Sequence, residues 1–172
     1  MRWLRFAAAL LLVAALSPAF ADIHFRHFEE DDEPKWEEGE VKLPEYPKDE
    51  DLMEFYVSAG TANKFYIDGK SINPGSDGVV RFTMVVRTAG GATNVTFEGI
   101  RCKTIETRLY ATGSNGKWVK ARKSEWRDIE NNTVNRPHAA LSRDYFCPSQ
   151  LPILTPEEGR DALRRGKHPN AK

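Results

Sequence analysis

Five basic residues, Arg81, Arg87, Arg101, Lys103 and Arg108, fall in or beside segments of alternating polarity and could together form an anion-binding face. Alternate side chains of a strand share one face, so a row of arginines there offers several forked donors to a carboxylate or phosphate. The turn at residues 89–92 suggests a register. If Thr88 pairs with Thr93, Val86 faces Val95 and Met84 faces Phe97. One extra residue, a β-bulge at Glu98-Gly99, then sets Ile100 opposite Phe82 and Cys102 opposite Val80. Arg81 would lie opposite Arg101 on the solvent side, where like charges destabilise a sheet unless an anion sits with them. Glu98, Glu106 or the acidic N-terminal segment could neutralise the pair from within, and an anionic partner could do so from outside.

Two further sets carry suggestive residue types. Trp118, Arg122 and Trp126 would line one helix face and form an aromatic groove for a sugar or peptide. The Asn115-Gly116 turn just before them argues for a strand instead, and tryptophan packing explains them without a ligand. His138 and Ser142 stand one helical turn apart with Asp144 nearby, the residue types of a hydrolytic site. Helical spacing brings any such pair close, and no glycine-rich nucleophile elbow accompanies it. P-loop, Rossmann and HExxH patterns are absent. The expectation is therefore a non-catalytic binding module, with a small periplasmic hydrolase or metal-handling protein as the alternative.

The elements that must position these residues follow from pattern. Residues 22–54 hold 14 acidic and 4 basic residues, a net of −10, whereas residues 55–172 hold 11 acidic and 19 basic, a net of +8. Self-repulsion with Pro44 and Pro47 favours an extended chain, so residues 22–51 read as an acidic arm lying across the domain, anchored by aromatics such as Trp36 and Tyr46. Residues 52–121 read as strands and turns. Asp68-Gly69 predicts a hairpin joining residues 65–67 to 70–72. Residues 79–88 alternate most clearly, with Val80, Phe82, Met84 and Val86 on one face. Residues 93–101 return antiparallel. Residues 104–112 put Ile105, Thr107, Leu109 and Ala111 on one side, either as a continuation of one bent strand or as a second strand. A short helix over residues 124–130 would bury Trp126 and Ile129. Asn135 could cap a helix to Phe146, with Ala140, Leu141 and Tyr145 inward, and Thr155-Pro156-Glu157-Glu158 is a capping box opening a helix to about Arg165.

The N-terminus sets the compartment. Arg2 and Arg5, the apolar run of residues 6–16 and Ala19-Phe20-Ala21 make residues 1–21 a signal peptide, too short to span a bilayer, with cleavage before Asp22. No cysteine follows the cut, so no lipid anchor is expected, and the product should be periplasmic and soluble. Cleavage would leave Asp22 and His24 with a free amine and backbone amides, a nitrogen set that Cu(II) and Ni(II) favour. Chance placement of one histidine is the plainer account, and no metal or cofactor is expected. The two cysteines, Cys102 and Cys147, read most simply as a disulfide in an exported protein; a reactive thiol or a metal pair are the competing readings.

Asp77 to Phe82, Asn94 to Cys102, Tyr110-Ala111, Trp118, Trp126 and Tyr145-Phe146-Cys147 together resemble the cryptic neisserial protein-like family. The resemblance implies a small exported, single-domain protein of the β-proteobacterial kind, periplasmic or lipid-anchored; it carries no activity with it. The missing lipid-attachment cysteine departs from the lipoprotein description. The fold expected is α+β: a mostly antiparallel twisted sheet with two or three C-terminal helices and one disulfide, in a single domain of residues 52–172. Val80, Phe82, Met84, Val86, Val95, Phe97, Ile100, Leu109 and Leu141 form its predicted core. The expected partner is an envelope protein or an anionic polymer, with no nucleic acid and no membrane span, bound by a monomer.

Overall fold

Val79–Arg87 forms β4, the strand around which the sheet is built. Its side chains alternate between two faces, yet seven in succession are buried because both faces are covered. The computed structural model describes residues 35–132 and 136–172, and Trp36–Lys172 belong to one compact unit. The predicted signal peptide, the Asp22 and His24 pair and the Asn135 cap lie outside the described residues. Across the sheet the order is β1 (Leu52–Phe55), β2 (Lys64–Asp68), β4, β5 (Thr93–Arg101), β6 (Glu106–Ser114) and β7 (Lys117–Lys120). All pairings are antiparallel, and two short strands, β3 (Asn73–Pro74) and β8 (Arg127–Asp128), pair with β4 and β6. The β6–β7 turn is the expected Asn115-Gly116, both at positive φ.

One face packs against the C-terminal helices. Phe65, Ile67, Val80, Phe82, Met84 and Ile100 meet Leu141, Tyr145, Phe146, Ile153 and Leu163 there. The helix α1 (Arg136–Ala140) runs on through a π-helical turn, Leu141–Phe146. The helix α2 (Pro156–Arg165) starts as the sequence predicts: the Thr155 hydroxyl accepts from the Glu158 N–H at 3.1 Å, with Pro156 at the first helical position. Gly166 ends it at φ 76°. The Cys102–Cys147 disulfide ties the chain just beyond β5 to the end of the π-helical turn, with the Cα atoms 5.3 Å apart.

Several expectations are corrected by the tertiary structure. Asp68-Gly69 does turn the chain, but residues 70–72 do not pair back on β2, whose neighbours are β1 and β4. The Ser71 hydroxyl donates to the Asp68 carbonyl and accepts the Thr83 N–H at 2.7 Å, so a side chain takes the place of a strand there. The β4–β5 ladder has no bulge: Val85 faces Val95, Thr83 faces Phe97 and Arg81 faces Gly99. This one-residue slip sends Val95 and Phe97 to the second face and Glu98 toward the helices. The irregularity lies instead between β5 and β6, where Phe97 faces Ala111, Glu98 faces Leu109, and Tyr110 is the extra residue. Tyr110 and Ala111 therefore turn to the same face, and Leu109 and Ala111 part company. Of the predicted core, Val86 and Leu109 are only half-buried. Residues 93–114 form two strands, separated by a turn at residues 102–105. No helix forms at residues 124–130; Arg127–Asp128 pairs with β6 because that end of the strand was otherwise open.

Candidate functional site

Residues 36–48 carry no helix or strand and lie as a strap over the second face. The Trp36 indole donates to the Asp77 carbonyl at 2.8 Å, and the Gly39 N–H donates to the Asp77 carboxylate at 2.8 Å. Val41 packs on the cluster of Phe97, Tyr110, Ala111 and Trp118. Farther along, the Trp118 indole donates to the Pro44 carbonyl at 2.9 Å, and Tyr46 stacks on Trp118 with ring centres 5.3 Å apart. Gly113 is required here, since a Cβ would meet the Tyr46 hydroxyl at 2.6 Å.

Glu38 is the centre of this arrangement. One carboxylate oxygen accepts from the Tyr110 hydroxyl at 2.5 Å and from Arg81 at 3.4 Å, and the other accepts from Arg108. Arg81 also forks onto Asp77, with contacts of 2.6 and 3.2 Å. Its side chain is only 4% exposed, and its Nε makes no hydrogen bond among the described residues. Burial works against the Asp77 charge, but Arg81 and the Gly39 and Val79 amides outweigh it and hold the carboxyl below its usual range. Burial, with Glu38 beside it, pushes the Tyr110 hydroxyl well up, so it stays a donor. Tyr110 reaches this place because the β6 bulge aims it across Gly99, where a Cβ would meet its hydroxyl at 2.6 Å.

The ladder puts Arg81, Arg87, Arg101 and Arg108 on the second face, but only Arg81 and Arg108 converge. Arg87 lies toward the far end of β4, bonded to Asp49 at 2.8 Å and set over Tyr66. Arg101 pairs with Glu106 at 3.5 Å, and its guanidinium lies 3.8 Å from the Trp36 ring centre. It faces Val79, not Arg81, so the predicted clash of like charges does not arise. Lys103 is exposed in the turn after β5. Trp118 and Trp126 do not share a groove: Trp118 meets Tyr46 and Phe97, whereas Trp126 packs edge-on against Trp36 at 5.9 Å. Arg122 is exposed between them in sequence.

The His138 ring bonds through Nε2 to Glu98, and its Nδ1 has no partner among the described residues. Ser142 is therefore not bonded to it, while Asp144 engages Arg143. From the sequence, Glu98 is expected as a solvent-side neutraliser of Arg81 and Arg101; the observed register pairs it with Phe82 and buries it instead. Burial opposes its charge, yet the His138 charge and hydrogen bond prevail and hold its carboxyl below the ordinary 4.5. Burial likewise opposes the imidazolium, but Glu98 raises its pKa above the ordinary 6.5. The pair's contribution to stability is thus complete between those two ordinary values. It fades as pH rises through the raised histidine value and as pH falls through the lowered glutamate value. His138→Gln is expected to lose about 1–3 kcal/mol within that window and less on either side. Urea unfolding across pH checks this, and a gap that does not vary with pH refutes it.

Among the described residues no group of three or more His, Cys, Asp or Glu could hold a metal ion, and no helix is long and apolar enough to cross a membrane. The model of the CNP1-like family matches residues 31–164, a span that contains the strap, the sheet and both cysteines. Cryptic neisserial protein 1 of Neisseria gonorrhoeae is 27% identical over 165 residues, covering 84% of this chain and 81% of its own length. No solved structure matches the chain. With most of its length accounted for by that one family model, the chain belongs to the CNP1-like family.

Proposed function

We propose that this protein is exported to the periplasm and acts as a non-catalytic binding module, taking an acidic peptide segment of an envelope partner on the basic sheet face beneath its own strap. The observation that carries this reading is Glu38. Two guanidinium groups and a phenol converge on one carboxylate, which is how a receptor site holds an anion. Here the chain supplies that anion from its own acidic segment. The strap is held largely by side chains rather than by a strand ladder, so an extended chain of like charge can occupy the same course. Arg87, Arg101 and Lys103 extend the basic surface beyond the centre. The predicted signal sequence and the disulfide suit an oxidising compartment.

Glu38→Gln keeps the side chain's size and removes its charge. Poly-L-glutamate, titrated into both proteins, is expected to bind the variant about ten-fold more tightly at low salt, with the gain lost at high salt. Equal affinities with unchanged salt dependence overturn the reading.

A further inference from the structure

A cleft of about 430 Å³ opens beside the disulfide, away from the Glu38 site. Ile105, Ile129, Ala139 and Cys147 give it apolar walls. Ser142 also lines it, and that residue is only 6% exposed. A hydroxyl so placed can donate to an acceptor bound in an otherwise apolar hollow. Arg143 and Lys172 are the charged residues of the lining, and no acidic side chain lines the cleft. The bonds of Arg143 to Asp144 use Nε and Nη2 and leave Nη1 uncommitted.

Backbone strain collects at the same place. Among the described residues, four other than glycine have positive φ: Ile105, Asn115, Ser149 and Gln150. Asn115 belongs to the Asn-Gly hairpin turn, which requires that conformation. The other three all line this cleft. Ile105 is the sharpest case, since a β-branched residue is rare at φ 56° and a glycine would make the β5–β6 turn without strain. What isoleucine adds at that turn is an apolar side chain in the wall. Such strain concentrates where a ligand is clamped.

We propose that this cleft binds a small amphiphilic anion, with an apolar body against Ile105, Ile129 and the disulfide and a carboxylate head between the Ser142 hydroxyl and Arg143. The volume is in the range of small-molecule sites. Decanoate, below its micelle concentration, is the probe, and decanol is the neutral arm, both followed by calorimetry on the purified full chain. Decanoate is expected to saturate a single site and to bind more tightly than decanol. Ala139→Phe, which fills the cleft, is expected to weaken binding at least about ten-fold. Ser142→Ala is expected to weaken it about five-fold, the loss of one hydrogen bond. Arg143→Gln weakens decanoate and leaves decanol unchanged. If Ala139→Phe does not fold, the other two variants carry the test. Absence of saturable binding, equal affinity for decanoate and decanol, or equal affinity in every variant overturns the proposal.

Discussion

Arg81→Ala is expected to destabilise the protein by about 3–5 kcal/mol, the range seen when one partner of a buried charge cluster is removed. Arg81, Asp77 and Glu38 have side chains 4%, 6% and 13% exposed, so water cannot take over the lost interaction. Asp77 keeps the Gly39 and Val79 amides, and Glu38 keeps Arg108 and Tyr110, which places the effect toward the lower end. Arg81→Lys recovers only part of it, because an ammonium cannot fork across Asp77 while reaching Glu38. The sign with pH follows from Asp77, whose carboxyl is held below its usual range. Its contribution is present above that range and lost as pH falls through the lowered value, so the defect shrinks in acid. Chemical unfolding of Arg81→Ala, Glu38→Ala and the double variant measures the coupling, expected at about 1–3 kcal/mol. A single-variant effect below about 1 kcal/mol would show that the cluster behaves as an exposed ion pair.

Removal of the disulfide by Cys102→Ala with Cys147→Ala is expected to cost about 4 kcal/mol, from the freedom that a 45-residue loop regains in the unfolded chain. For a domain of this size that lowers Tm by roughly 8–16 °C. Cys102 is completely buried and Cys147 is 4% exposed at the wall of the cleft, so reduction is slow in the native structure and fast once it opens. Thermal melts with and without dithiothreitol separate the two statements. Native protein should resist reduction well below Tm, and protein reduced in the unfolded state should melt with the double variant. Equal Tm for the oxidised protein and the double variant refutes the assignment of this bond as a main stabiliser.

Local signals in the chain were legible and mark the same features in the fold. Thr155 and Glu158 cap α2, and Asn115-Gly116 closes the β6–β7 hairpin, because each depends on residues within one turn. The register of β4 and β5 was not legible. Residues 79–85 are buried on both faces, so alternation of polarity does not say which neighbour stands opposite. The β6 bulge, which aims Tyr110 at Glu38, depends on residues 72 positions apart. Glu98 was unreadable as an interior group, since its burial makes sense only with His138, 40 positions away. Trp126 and Ile129 had helical spacing, but an open stretch of β6 took that segment into the sheet.

By itself the sequence determined the antiparallel α+β plan, the pairing of its two cysteines and the separation of an acidic N-terminal segment from a basic remainder, because these rest on composition and short-range pattern. Tertiary structure alone decided that Glu38, among the strap's several carboxylates, enters the basic face, and that Arg81 and Arg108 meet it while Arg87 and Arg101 do not. It alone gathered Ile105, Ser142 and Gln150 around one cleft. Convergence of charges and hollows depends on register and on which covering lies over each face, and those are set by contacts between residues far apart in the chain.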